Sequence, residues 1–448
     1  MKMNECYHDL IKAYKGKTKA SGKAYGTASQ YLAGGETRSV SYYDPYPLNI
    51  IYGSGCRIYD EDKNPYYDCI NNYTSLIHGH AHPEITEAIA KAAEKGTAVV
   101  AGMSEQVDLA RLLCGRVPCV ERIRFCNSGT EAVLFAVRAA KAYTGRPCIV
   151  KILGGYHGTT DMMEYNVSPE VDREHPEKMC IAKPDIRGVS EKIADEILII
   201  PFNDMERAEE VFKQHGDSVA AVITEPFLGA GGMIPARKEY LEKLRELTEK
   251  HGAVLIFDEV QSLRLSEGGG QKCYQVIPDL SAFGKIIGGG LAVGAFGGKK
   301  EIMELFSPAV SGYLSQSGTF NGNRVTMAAG FRTLSLYNQR ACDRLEELAV
   351  RLEGHIRKAF MTAQTDGCVT RAGSLMNYHF MKEEPEDYAS GAKDDKELFK
   401  IMHLEMLMRG VFLAPRGMIA LSTPMTEPVI DEIGMKFEES LLHMKGYM

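Results

Sequence analysis

Three short segments hold residue types that together suit covalent amine chemistry. FCNSGTEAVLFAV (125–137) runs from an apolar approach into Ser128, Gly129 and Thr130 at the start of a helix. Free N–H groups, two hydroxyls and the positive end of a helix dipole make a seat for phosphate. LIFDEV puts Asp258 at the C-terminal end of an apolar strand, the edge of an open α/β sheet where ligands bind. A carboxylate there can keep a ring nitrogen protonated, the service an Asp gives to pyridoxal phosphate. SAFGKIIGGGLAVGAFGG sets Lys285 among Phe283, Ile286 and Ile287. Desolvation in such a setting lowers an amine's pKa and frees it for Schiff-base chemistry. Taken singly, these residues also read as a plain N-cap, a structural carboxylate and a solvated lysine. In this order along one chain they form a set.

Such a set needs strand ends to carry it. Short apolar runs at 148–153, 196–202, 220–226, 253–260 and 292–298 read as strands, with helical stretches at 204–215 and 237–251 between several of them. Alternation of this kind predicts a mostly parallel sheet covered by helices. Helices are also expected from Pro83, from Ser104 as an N-cap with Val107 and Leu109–Leu113 turned inward, and over 130–143. The first forty residues read as helical and then irregular, residues 48–70 as short strands with tight turns, and 325 onward as helices followed by α+β structure near 372–381 and 411–422. The expected fold class is α/β, a large domain at 71–325 flanked by a smaller α+β domain from both termini, 1–70 and 326–448.

Composition removes other classes. The 448 residues carry a formal charge of −7, against the basic face that nucleic-acid binding relies on. No apolar run approaches the ~20 residues of a membrane span. A polar N-terminus and eleven scattered cysteines without a CxxC pair suit a reducing cytoplasm. Glycine is raised, at 44 residues against 18 prolines, which points to tight backbone approaches inside folded structure. Gly16 to Lys23 misses P-loop spacing, and no HExxH or G-x-S-x-G occurs. His78, His80 and His82 alternate as metal ligands do, yet Pro83 follows at once and favours a turn; no metal is expected.

The motifs CNSGTEA, GGYHG, FDEV, FGKIIGGG and SGTFNGN resemble those of class III (ω-)aminotransferases of fold type I, from about residue 30 to the end. The resemblance implies pyridoxal 5'-phosphate as cofactor, with Lys285 forming the internal aldimine and shuttling the proton. Asp258 then pairs with the pyridine nitrogen, Val260 packs on one ring face and Tyr156 stacks on the other. Ser128, Gly129 and Thr130 bind phosphate, Thr319 reaches it from a neighbouring subunit, and Glu225 lies near the cofactor's other edge. A homodimer with shared active sites follows from the same resemblance.

Two branches of that family compete. Glutamate-1-semialdehyde aminomutase shares GHAHP, the SGTEA stretch and the lysine motif. The β-phenylalanine aminotransferase branch is similar over GGETRSVSYYDPYPL (34–48), over FLAPRGMIALS (412–422) and in the spacing before Arg264. It implies Arg38 and Arg416 as carboxylate-binding arginines and Tyr73 in the substrate pocket. A transaminase must take an amino donor and a keto-acid acceptor such as 2-oxoglutarate, whose two carboxylates make a second arginine useful. The expectation is therefore ping-pong transfer from a β-amino acid, β-phenylalanine-like, to 2-oxoglutarate. The alternative is an intramolecular aminomutase of the glutamate-1-semialdehyde type, and a third reading is a cofactor-binding regulatory or carrier protein without turnover. Met103, Ser104 and Glu105 depart from the β-phenylalanine pattern. Glu105 reads as a first-turn carboxylate facing a helix dipole.

Overall fold

The computed structural model describes residues 2–172 and 175–447. Its centre is a seven-stranded sheet of β1 (Arg122–Cys126), β2 (Cys148–Ile152), β3 (Ile197–Ile200), β4 (Val219–Thr224), β5 (Val254–Asp258), β6 (Leu280–Gly284) and β7 (Gly294–Gly298). The spatial order is β1-β7-β6-β5-β4-β2-β3, and β7 alone runs antiparallel to its neighbours. Every residue of β2, β4, β5, β6 and β7 is buried, which is why β2, β4, β5 and β7 read as apolar runs. Successive side chains serve opposite faces. Val254 and Ile256 join the core with helix Gly129–Thr144, whereas Leu255 and Phe257 join the core with helices Met205–His215 and Lys238–His251.

Both ends of the chain build the smaller α+β part. A four-stranded sheet pairs Ile50–Ser54, Arg57–Asp60 and Pro65–Asp68 with the C-terminal Val411–Phe412. A three-stranded sheet is formed by Cys368–Ala372, Leu375–His379 and Met418–Ala420. Helices Gln339–Ala363 and Glu427–Lys445 pack on one another and bury Leu352, Ile356, Phe437 and Leu441. The architecture is thus α/β with a mostly parallel central sheet and a smaller α+β part from both termini. Among the described residues no helix is long and apolar enough to cross a membrane.

Some local expectations need correction. β1 and β6 are not among the expected strands: RIRFC alternates arginine with apolar residues, and LSAFG runs straight into the lysine turn. Helix Ser104–Arg116 has Met103, not Ser104, in the N-cap position. Val107 faces solvent, because it falls off the stripe on which Leu109 and Leu113 are buried.

Candidate active site

Five chain segments leave carboxyl ends of the large sheet and meet at one point. β1 leads to Ser128, β2 to Tyr156 and His157, β4 to Glu225, β5 ends in Asp258, and β6 hands over to Lys285. Ser128 caps helix Gly129–Thr144 by accepting the Glu131 N–H at 3.1 Å. The Glu131 carboxylate accepts the Asn127 N–H at 2.7 Å. Val260 is wedged between two of these turns: a Cβ on Gly129 would lie 3.1 Å from its Cγ2, and one on Gly284 would lie 3.3 Å from its Cγ1. Glycine is what lets both backbones close on the valine. From β2, the Thr159 N–H reaches Thr130 Oγ1 at 3.4 Å.

Asp258 is buried and its two oxygens are separately employed. Oδ1 accepts the Val260 N–H at 3.0 Å, and Oδ2 faces His157 Nδ1 at 2.9 Å. Burial holds the His157 pKa down despite the Asp258 charge, so its ring is neutral and Nδ1–H donates to the carboxylate. His157 Nε2, Glu225 Oε2 and Gln261 Oε1 are buried without a protein partner. Burial lowers the Lys285 amine to about 8, although the Asp258 carboxylate pulls it back up. Lys285 also sits in the left-handed backbone region, φ 49°, a strained placement for a side chain with a Cβ. Glu225 is pushed up to about 8, chiefly by burial and then by the Asp258 charge, so it is protonated at neutral pH. Its Oε1 accepts the Gly229 N–H at 3.3 Å. Tyr156 stands at the mouth, 45% exposed.

A second group lies at the edge contributed by the smaller part. The guanidinium carbons of Arg38 and Arg416 lie 6.0 and 5.7 Å from the centre of the Tyr73 ring. Tyr73 donates its hydroxyl to Val40 O at 2.5 Å. Arg38 donates from Nη1 to Asn72 Oδ1 at 2.7 Å. The electric field of Arg416 reaches both Lys285 and Tyr156, which ties the two groups together. Thr319 is exposed, two residues before Asn321, whose Oδ1 accepts from Asn127 Nδ2 at 2.7 Å.

Sequence reasoning gave no role to His157 or Lys151. The signal for His157 was its place beside Tyr156 in GGYHG; that for Lys151 was a single cation inside the apolar strand CIVKI. Lys151 is fully buried and donates to Gly155 O and Tyr165 O, both at 2.7 Å. Burial depresses its amine to about 7. Of the alternating histidines, His78 bonds Thr423 Oγ1 and Thr333 O with the His82 ring 5.5 Å away, while His80 bonds Asp68. Glu105 stands in a helix first turn, 3.5 Å from Arg324 Nε. Cys6, Glu405 and His443 come together on three helices, but Arg409 and His443 already occupy the Glu405 oxygens.

The donor set fits pyridoxal phosphate. A capped helix N-terminus suits its phosphate, a buried carboxylate its ring nitrogen, and a depressed amine its aldehyde. Buried atoms without protein partners, His157 Nε2 and Glu225 Oε2, belong to the same constellation.

Comparison with known proteins agrees with this chemistry. A family model described as Aminotransferase class-III matches residues 39–429. Glutamate-1-semialdehyde 2,1-aminomutase from Alkaliphilus metalliredigens is 40% identical over 405 residues, 89% of this chain and 90% of its own. The enzyme of the same name from Natranaerobius thermophilus is 39% identical, over 88% of this chain and 91% of its own. Among solved structures, an ω-transaminase from Sphaerobacter thermophilus superposes with a TM-score of 0.92 at 38% identity, covering 97% of this chain and 99% of that one. A β-phenylalanine aminotransferase from Variovorax paradoxus gives 0.88 at 33%, covering 98% and 97%. A transaminase with PLP bound gives 0.88 at 36%, covering 96% and 98%. These relatives correct the expectation of β-amino acid transfer to 2-oxoglutarate: the curated relatives at 37–40% identity carry the aminomutase name. That expectation rested on local matches around Arg38 and Arg416, and local matches weigh less than identity spread over nine-tenths of the chain.

Proposed function

The chain belongs to the class III aminotransferases, PLP-dependent enzymes of fold type I, and on that premise we propose that it is an intramolecular aminomutase. The substrate class is that of its curated relatives, glutamate 1-semialdehyde, whose amino group moves from carbon 2 to carbon 1. The observation that carries this reading is identity of 37–40% over about nine-tenths of the chain to enzymes of that name. Arg38 and Arg416, each beside the Tyr73 ring, offer guanidinium forks of the kind that clasp a substrate carboxylate.

When bound, the cofactor supplies an aldehyde for amines and an electron-withdrawing ring that stabilises charge on the adjacent carbon. Ser128, Gly129 and Thr130 hold its phosphate at the helix N-terminus. Asp258 would accept the ring N–H, and the His157 Nδ1–H bond orients that carboxylate. Val260 and Tyr156 would flank the ring. Lys285 Nζ, with a pKa near 8, carries a proton between neighbouring carbon positions at neutral pH. Glu225, protonated, offers an O–H donor instead of a charge. Thr319 completes the phosphate seat from a second copy, in a homodimer.

The deciding experiment gives the holoenzyme glutamate 1-semialdehyde as sole substrate. NMR is expected to show the isomer with its amine on carbon 1, without any keto acid present. Consumption of the semialdehyde only when a keto acid is added, leaving a dicarbonyl product and a matching amount of new amino acid, overturns the proposal.

A further inference from the structure

Beside the site, Asn71, Asn72, Tyr73 and Thr74 all hold left-handed backbone, with φ between 50° and 76°. They form one left-handed turn closed by the Thr74 N–H on Ile70 O at 2.9 Å. Four such residues in succession without a glycine are costly, because each Cβ crowds the following carbonyl. The surroundings enforce the turn. Asp68 Oδ1 accepts the N–H groups of Ile70 and Asn71, both at 2.8 Å, and Asn71 Nδ2 donates to Ala420 O at 2.7 Å. Strain held so firmly beside a binding site points to use.

The turn delivers two side chains to the arginines. Tyr73 meets both guanidinium groups, and Asn72 receives Arg38 Nη1 on Oδ1 at 2.7 Å. The amide is oriented by its other end. Ser75 Oγ donates to Asn72 O and accepts from Asn72 Nδ2, each at 3.0 Å, which leaves the amide oxygen for Arg38.

Resting on the reading of Arg38 as a carboxylate anchor, we propose that Asn72 is the positioning residue that makes this site selective for carboxylate-bearing substrates. A neutral acceptor parks the guanidinium through one N–H and leaves its positive charge and remaining donors for the ligand. A carboxylate at position 72 would instead take up the charge through a paired contact.

The test titrates the holoenzyme calorimetrically with pentanoate and with pentanamide, the same chain without charge, and measures KM and kcat for glutamate 1-semialdehyde. Asn72→Ala is expected to weaken pentanoate about tenfold, the loss of one charge-assisted bond, and Asn72→Asp to weaken it further. Pentanamide binding changes less than about twofold, and the kinetic loss falls on KM, as expected for lost ground-state binding. Asn72→Gly, which tolerates the left-handed turn, should repeat the alanine result and separates positioning from folding. Equal losses for pentanoate and pentanamide, or an Asn72→Asp enzyme binding pentanoate as wild type does, overturn the proposal. If the semialdehyde is not isomerised, the functional reading fails, while the pentanoate titration still decides the role of Asn72.

Discussion

At the carboxyl edge of the large sheet, each chemical group is set by its own strand. Asp258 ends β5, Lys285 follows β6, and Ser128 lies two residues beyond β1. At the substrate mouth, Arg38, Tyr73 and Arg416 come from separate stretches near the two ends of the chain, and both arginines are exposed. The first region is buried and shifts the pKa of Lys285 and Glu225 to about 8. The second keeps its charges near water and orients them through Asn72 and the Tyr73 ring. Chemistry common to a family is thus held by backbone geometry. The proposed substrate contacts are left to exposed side chains near the two ends of the chain.

If that contrast holds, damage at the sheet edge abolishes reaction with any amine, whereas damage at the mouth changes which amine reacts. Lys285→Ala removes the amine proposed to bond and release the cofactor, and turnover is expected to fall by at least about 10³-fold with every substrate. Single-turnover absorbance with a carboxylate-bearing and a plain amine checks this; a loss confined to one of them breaks the comparison. Asp258→Asn keeps the shape, yet it exchanges a charge-stabilising carboxylate for a neutral amide. A drop of about 10²-fold in kcat is expected, again independent of the substrate's carboxylate.

The amine's pKa makes a gentler test. Because burial lowers the folded Lys285 pKa to about 8, the reactive neutral form grows as pH rises and saturates above that value. Cofactor uptake by the apoprotein should speed about tenfold per pH unit below 8 and level off above it, followed by stopped-flow absorbance. A rate still climbing toward pH 10 means that Lys285 is not desolvated. Ser128→Ala is smaller again: losing the cap costs about 1 kcal/mol in denaturant unfolding and weakens cofactor affinity, without altering substrate preference.

This division also explains how much of the fold and the site is legible in the amino-acid sequence. The helix-capping turn at Ser128, Asp258 at a strand end and the desolvated Lys285 are legible as placements because each needs only a local pattern, a strand end beside a cap or an apolar lysine. The parallel sheet is legible from runs such as VLIFD, and the smaller part from its pattern at both ends. His157, Lys151 and Asn72 are not, because their roles depend on partners brought near by folding: Asp258, Tyr165 O and Arg38. The same holds for the run Gly268–Gly270. Gly270 and Gln271 donate backbone N–H groups to the buried Glu259 carboxylate at 2.9 Å, and a Cβ on Gly269 would come 2.9 Å from its Oε1. Nothing in the sequence around Gly269 names Glu259 as the reason. The substrate branch misled for a similar cause, since Arg38 and Arg416 sit in short stretches similar to one branch, while curated relatives alike over about nine-tenths of the chain carry the name of the other.

Glu105 offers the smallest effect and the sharpest limit on the mouth. It lies close in sequence to Met103 and Ser104, which depart from the β-phenylalanine pattern, so a role in substrate choice is the natural rival reading. Its geometry argues otherwise. The carboxylate sits over its own helix N-terminus, and the Arg324 charge adds to the lowering of its pKa. A carboxylate whose folded pKa is depressed stabilises the protein above its unfolded pKa, and the gain disappears as pH falls through the folded value. Glu105→Gln should therefore cost at most about 0.5 kcal/mol near neutral pH, and this difference should vanish in acid. Selectivity between carboxylate-bearing and plain amines should stay within about twofold of wild type, as expected for a group that stabilises a helix and touches no substrate. A change in selectivity without a change in stability would move Glu105 into the mouth and extend that region beyond Arg38, Tyr73 and Arg416.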